Sequence, residues 1–162
     1  MIGREGMSGA KLVIEEEPAT GPAAQQCLQV YYSELRARFH EGFDPGKSVL
    51  HSLAEFDPPR GSFLVLRLGD DLVGCGGLTP LGDAAYLKRM WIAPDSRGLG
   101  LGRRLLQALE GKARSLGYRS VKLETHKSLG EAQRLYRSSG YREVPAFNDE
   151  FYADHWFEKV LD

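Results

Sequence analysis

Between Met90 and Arg103 the chain reads M-W-I-A-P-D-S-R-G-L-G-L-G-R, a composition suited to holding an anion. Gly98, Gly100 and Gly102 strip side chains from alternate positions, so consecutive backbone N–H groups can face something bulky and negative. Arg97 before the glycines, and Arg103 and Arg104 after them, add positive charge around the same spot. Pro94 has no N–H and pushes Ala93 toward an extended geometry, so a strand ending in Met90, Trp91 and Ile92 should stop there. A helix starting after the loop contributes its positive N-terminal end. These parts make a phosphate cradle; the plainer reading is a glycine-rich turn between a strand and a helix.

Two common cradles are excluded. A P-loop needs Lys followed by Ser or Thr after its glycines, and none follows here. The dinucleotide fingerprint needs a glycine three residues after Gly-x-Gly, where this chain has Arg103 and Leu105. What remains is Arg-x-x-Gly-x-Gly, as Arg97, Gly100 and Gly102, preceded by L-K-R-M-W-I-A-P.

The elements that position this loop can be read along the chain. Lys11–Glu17 reads as a strand, followed by the breaker P-A-T-G-P. From Ala23 to His40, Ala24, Cys27, Leu28, Tyr31, Leu35 and Phe39 recur at one-face helical spacing. Asp44-Pro45 supplies an N-cap and an N1 proline for a short second helix, with Val49, Leu50, Leu53 and Phe56 inward. Ser62–Leu68 and Leu72–Thr79 form a hairpin across Gly69-Asp70-Asp71, and a strand from Ala84 to Ile92 follows Gly82-Asp83. After the loop, Leu101, Leu105, Ala108, Leu109, Ala113 and Leu116 make an apolar stripe closed by Gly117. Ser120–His126 alternates as a strand, with Val121, Leu123 and Thr125 on one face and Lys122, Glu124 and His126 on the other. Strand, helix, strand over this length implies a right-handed parallel crossover. Ser128 and Glu131 read as a capping box opening a helix to Gly140, and Arg142–Val144 and His155–Leu161 read as the last strands.

Composition bounds the alternatives. The 162 residues, 42% of them hydrophobic, suit one domain, expected over residues 11–162 after a flexible segment 1–10 in which Met7 could be the original start. Lys+Arg number 21 against 22 Asp+Glu, so no basic field recruits nucleic acid. No apolar run approaches the roughly 20 residues of a membrane span, and no signal peptide is evident, so a cytoplasmic location is expected. Cys27 and Cys75 lack metal-ligand spacing and read as small buried thiols in a reducing compartment; no metal site is expected.

The loop motif resembles the acetyl-CoA loop of the GCN5-related N-acetyltransferases (GNAT). A-Q-R-L-Y-R-S-S-G-Y, Ala132 to Tyr141, is similar to that family's A-x-x-L-Y-x-x-x-G-[FY]. The resemblance runs from Val13 to Leu161. It implies an α+β fold: a mixed, mostly antiparallel sheet flanked by helices, with a parallel strand pair that splays apart. It also implies acetyl-CoA as cofactor, its pantetheine arm lying against backbone of Met90, Trp91 and Ile92. The pyrophosphate would be wrapped by Arg97, Gly98, Leu99, Gly100, Leu101, Gly102 and Arg103. Tyr136 falls at the position of the family's acid, which protonates the departing thiolate. Leu129 stands where the family often has a cofactor-contacting Asn.

Acyl transfer to an amine also needs an oxyanion donor and a route for the amine's proton. A backbone N–H at Trp91 or Ile92 is the expected donor. Glu124 is the candidate base, with a solvated ion pair as its plainer reading. His126 and His155 could face the same cleft, or be ordinary hydrogen-bonded imidazoles. Acceptor contacts in this fold come from the first helices and the last hairpin, here Tyr31, Glu34 and Asn148 among others. Glu34, Asp149 and Glu150 suit a cationic amine, whereas Arg36 and Arg38 argue equally for an acceptor carrying a carboxylate.

The expectation is direct transfer of acetyl to a small-molecule amine in a ternary complex, since neither cysteine lies in the motif. A protein lysine or N-terminus is the alternative acceptor, and a CoA-binding sensor that lost transfer is the rival from another class. Oligomeric state is open; the family often dimerises through sheet edges or C-terminal strands, here Trp156–Leu161.

Overall fold

Strands rich in Val, Leu and Phe that bury both faces need helices on both sides of the sheet, and that is how this chain is built. The computed structural model describes residues 10–49 and 52–162. The expected flexible N-terminal residues, the Met7 start and the inward placement of Leu50 lie outside the described residues, Ala10 excepted.

The order is β1 (Leu12–Glu16), α1 (Pro22–Arg38), β2 (Ser62–Leu68), β3 (Asp71–Leu81), β4 (Ala84–Ile92), α2 (Leu101–Ser115), β5 (Ser120–Thr125), α3 (Gly130–Ser138), β6 (Arg142–Val144) and β7 (His155–Val160). The strands form one seven-stranded sheet in the order β1-β2-β3-β4-β5-β7-β6. Every neighbouring pair is antiparallel except β4 with β5.

Alternation within β2 shows how the layers are made. Phe63 and Val65 pack toward α1 with Ala24, Cys27, Leu28, Cys75 and Trp91. Leu64 and Leu66 point the other way, into a core with Leu105, Leu109, Val121, Leu123 and Phe157. The α2 stripe is buried as its spacing requires, with Leu105, Leu109 and Ala113 fully covered; each buried Leu contributes about 2 kcal/mol. Gly117, at φ +90°, ends that helix as Tyr118 N–H turns back to the Ala113 carbonyl at 3.0 Å.

Two local expectations are corrected. The stretch from Asp44 to Phe56 is not a second α-helix but two 3-10 turns, Pro45–Lys47 and Leu53–Phe56. Asp44 does cap the first, accepting from Gly46 N–H at 2.9 Å. The helix cannot propagate because the Val49 N–H is taken by Glu150 at 3.3 Å, while Ser52 starts a new turn by accepting from Ala54 N–H. The capping box at Ser128 does not form either: Leu129 is the N-cap of α3 and has no side-chain cap bond. Glu131 is drawn away by the Arg38 guanidinium of α1, and the Ser128 hydroxyl bonds His126 Nδ1 at 2.8 Å. A charge-assisted pair outcompetes a neutral cap.

Glycines of β3 also permit close approach, most tightly at Gly77. A Cβ at Gly77 of β3 would collide with the Phe56 ring and stand 2.8 Å from Phe63 Cδ2. Gly77→Ala should therefore lower stability by about 1–3 kcal/mol through overpacking, measured as a fall in the urea midpoint at unchanged m-value.

Candidate active site

The cleft arises where strand pairing stops. β4 and β5 pair only at Ala84–Ser120, Ala85–Val121 and Tyr86–Lys122, yet β4 runs on to Ile92 and β5 to Thr125. The β4 edge from Leu87 to Ile92 thus has no strand beside it. A cavity of about 370 Å³ occupies this region, reaching from the glycine loop to an aromatic wall of Tyr31, Phe39, Phe43 and Tyr152. Met90, Trp91 and Ile92 line it, as do Arg97, Gly98, Gly100, Leu101, Gly102 and Arg103. Leu99 does not; it is 40% exposed.

The loop residues fit a pyrophosphate. Gly98 and Gly100 sit at φ +83° and +78°, and a Cβ at either would project into open space. Gly100 is the N-cap of α2 without a side-chain cap, so the first-turn N–H groups are open to an anion. Arg97 is held across the loop, donating from Nε to the Ile92 carbonyl at 2.9 Å and from Nη2 to Glu34 at 2.6 Å. Arg103 reaches the end of α3, at 2.8 Å from Ser138 Oγ and 3.1 Å from Ser139 Oγ. Backbone amides would therefore make the inner contacts to a pyrophosphate, with arginines framing them.

Tyr136 hangs from α3 into the cleft, its ring packed near Tyr141 and Phe157 and its hydroxyl 4.0 Å from Met90 Sδ. Burial first, and the nearby Glu124 charge second, push its pKa up, so the phenol keeps its proton through the neutral range. Glu124 reaches the same cavity from β5. Its Oε1 accepts from the Tyr86 hydroxyl and from Lys88 Nζ at 2.9 Å. Its Oε2 is buried with no hydrogen-bond partner.

The other expected residues divide. Tyr31, Glu34 and His126 line the cavity. The Glu34 carboxylate is already engaged, accepting from Trp91 Nε1 at 3.0 Å and from Arg97 and Arg38. His126 has both ring nitrogens bonded, to Ser128 Oγ and to Glu41 at 2.9 Å, and its ring stacks on Phe39 at 3.8 Å. Asn148 and His155 do not line the cavity. Asn148 stands behind Tyr86, donating to its hydroxyl at 2.8 Å and accepting from Trp156 Nε1. His155 Nδ1 pairs with Glu143 at 2.8 Å across the β6–β7 edge.

Sequence reasoning missed Tyr86, Lys88 and Arg89. Lys88 is 7% exposed and bridges Glu124 and Glu150 at 2.9 and 3.0 Å. The available signal was two adjacent cations inside a strand buried on both faces. Among the described residues no cluster of His, Cys, Asp and Glu could hold a metal, and no helix is long and apolar enough to cross a membrane.

The family model for the acetyltransferase (GNAT) family matches residues 28–141. The chain belongs to that family. GNAT proteins use acetyl-CoA, and the parted strands and glycine loop are where this one has room for it. An IAA acetyltransferase of Azospirillum brasilense is 37% identical over 91 residues, 55% of this chain. The match spans 60% of the Azospirillum protein's length. The N-alpha-acetyltransferase RimI of Mycobacterium tuberculosis is 30% identical over 137 residues, 82% of this chain and 84% of that one. In fold, the chain superposes on a GNAT acetyltransferase from Staphylococcus aureus with a TM-score of 0.76 at 18% identity, covering 94% of this chain and all of the other.

Glu34 ties α1 to this GNAT loop, which makes a pH test available. Burial opposes its charge, but donors from Trp91, Arg97 and Arg38 outweigh that and hold its pKa below the ordinary carboxylate range. A depressed pKa stabilises the fold above the unfolded-state value, near 4.5, and the contribution is lost as pH falls through the folded value. Glu34→Gln should cost on the order of 1 kcal/mol at pH 7, after discounting for its partial exposure. The deficit should shrink toward pH 3 in thermal or urea unfolding followed across that range.

Proposed function

We propose that this GNAT protein transfers the acetyl group of acetyl-CoA to the primary amine of a small molecule, directly, within a ternary complex. One observation carries the reading: the unpaired β4 edge, the open glycine loop, the Tyr136 phenol and the Glu124 carboxylate all border one cavity. Acetyl-CoA, when bound, supplies the acyl group as a thioester. Its arm would take the place of the missing strand neighbour along the backbone of Met90, Trp91 and Ile92, and the amides of Gly98 to Gly102 would receive the pyrophosphate. Arg97 and Arg103 stiffen the two sides of that loop.

Two protons must move. Tyr136 holds a proton at Oη and can give it to the departing sulfur. Glu124 can accept the amine's proton at Oε2, while Tyr86 and Lys88 fix Oε1. Lys88 is itself held by Glu150, whose pKa burial would raise but which Lys88 and Ser48 keep low. Cys27 and Cys75 are buried among the α1-side core and do not line the cavity, so no thiol competes as a nucleophile. The aromatic enclosure favours a small acceptor over a protein chain, although the similarity to RimI gives the protein reading a specific rival.

Thiol release from acetyl-CoA, followed with amines, amino acids and peptides alongside calorimetric CoA binding, tests this. Release with a small amine is expected; release with peptides alone would replace the acceptor class. CoA binding without transfer to any acceptor would leave a sensor. Tyr136→Phe should lower kcat by roughly 10²-fold with CoA affinity kept, and Glu124→Gln should lower kcat likewise with CoA affinity kept. Unchanged kcat in both would remove those two residues from the mechanism.

A further inference from the structure

The carboxylates around the cavity each already hold a cation. Glu34 takes Arg97 and Arg38, Glu131 takes Arg38, and Glu41 takes His126. Glu124 and Glu150 share Lys88. Arg89 is left over. It lines the cavity at 8% exposure, its Nε is buried without a hydrogen-bond partner, and it joins no ion pair among the described residues. Its guanidinium lies over the rings of Tyr32 and Phe43, at 5.6 and 5.9 Å from their centroids. Ring faces offset only part of what desolvating a full charge costs.

The backbone is distorted to put Arg89 there. Gly77 pairs with Lys88 and Cys75 with Trp91, so β4 carries one extra residue between those two rungs. Arg89 has φ +60°, the left-handed region that side chains rarely adopt. The bulge breaks the alternation of the strand. Lys88, Arg89 and Trp91 all contact groups on the α1 side, while Met90 turns to meet Tyr136. A regular strand would have sent Arg89 into the aliphatic core under α2. Strain held in place beside a buried guanidinium that has no direct ion pair and an unbonded Nε marks a position that a ligand completes.

We infer that Arg89 is the specificity-determining residue of the acceptor pocket, and that the acceptor is a small amine bearing a carboxylate, which supplies the missing counter-ion. The planar guanidinium fork suits a carboxylate held by two parallel bonds. The aromatic wall of Tyr31, Phe39 and Tyr152 then takes the apolar body of the molecule, and the amine lies toward Glu124. This rests on the acetyl-transfer reading above and sharpens its acceptor class.

The test compares amino acids with their amides, their decarboxylated amines and a phosphorylated amine, as acceptors for the protein with acetyl-CoA. In the wild type, kcat/KM should favour the free carboxylate over its amide by at least about tenfold. In Arg89→Met that ratio should fall to near one, and in Arg89→Lys it should be partly restored. CoA affinity by calorimetry serves as the folding control for both variants. Arg89→Met should melt no lower than the wild type without ligand, because it removes an unpaired buried charge; a structural arginine would give a clear fall.

Equal turnover of carboxylate and amide by the wild type would overturn the inference, as would an unchanged ratio in Arg89→Met. Preference for the phosphorylated amine would reassign the anion. Should no acceptor release thiol, the acetyl-transfer reading fails separately. Calorimetric titration of the same amino acids into wild type and Arg89→Met, with CoA present, still decides the role of Arg89. Saturable binding lost in the variant supports it, and equal binding or none in both contradicts it.

Discussion

The rest of the site depends on β4 and β5 being parallel neighbours for only three residue pairs. A fully zipped pair would have satisfied the β4 edge with β5 backbone and closed the sheet. Stopping at Tyr86 leaves donors and acceptors on β4 that need a partner, beside a helix N-terminus that also needs one. A ligand with an amide-bearing arm and a phosphate end would meet both requirements. The glycine loop and the strand edge are thus two consequences of one interruption, and α2 and α3, packed on the same core, set how far apart the strands stand.

Charge within the cleft is arranged with the same economy. Glu34 joins α1 to the loop through Arg97 and Trp91, so the helix that walls one end of the cavity also braces the glycine loop at the other. On the other side Lys88 bridges Glu124 on β5 and Glu150 on the segment before β7. Tyr86, Asn148 and Trp156 extend that brace to the last strand. The Glu124 carboxylate thus has one oxygen fixed and the other buried without a hydrogen-bond partner. The terminal hairpin therefore braces the Glu124 carboxylate from behind, although two of its polar residues, Asn148 and His155, do not reach the cavity.

Local signals in the sequence were enough for the elements that carry the cleft. Pro94, the glycines and the α2 stripe act over a few residues, and Ser62–Leu68 and Ala84–Ile92 stand in the structure with the bounds their patterns gave. What was hidden depends on residues far apart in the chain. The capping box lost to Arg38 of α1, and the second helix lost to Glu150. The bulge at Arg89 was hidden for another reason: no glycine or proline marks it, and period-two alternation assigns Lys88 and Arg89 to opposite faces. Only the pairing register with β3 shows that both turn to the α1 side.

Amide hydrogen exchange with and without CoA tests the central claim most directly, because that claim concerns backbone groups. CoA should slow exchange in peptides covering residues 87–104, the β4 edge and the glycine loop, while the β1–β2 edge stays unchanged. Protection confined to other elements, or no protection at saturating CoA, would contradict the account of the cleft as a gap in the sheet that the cofactor fills.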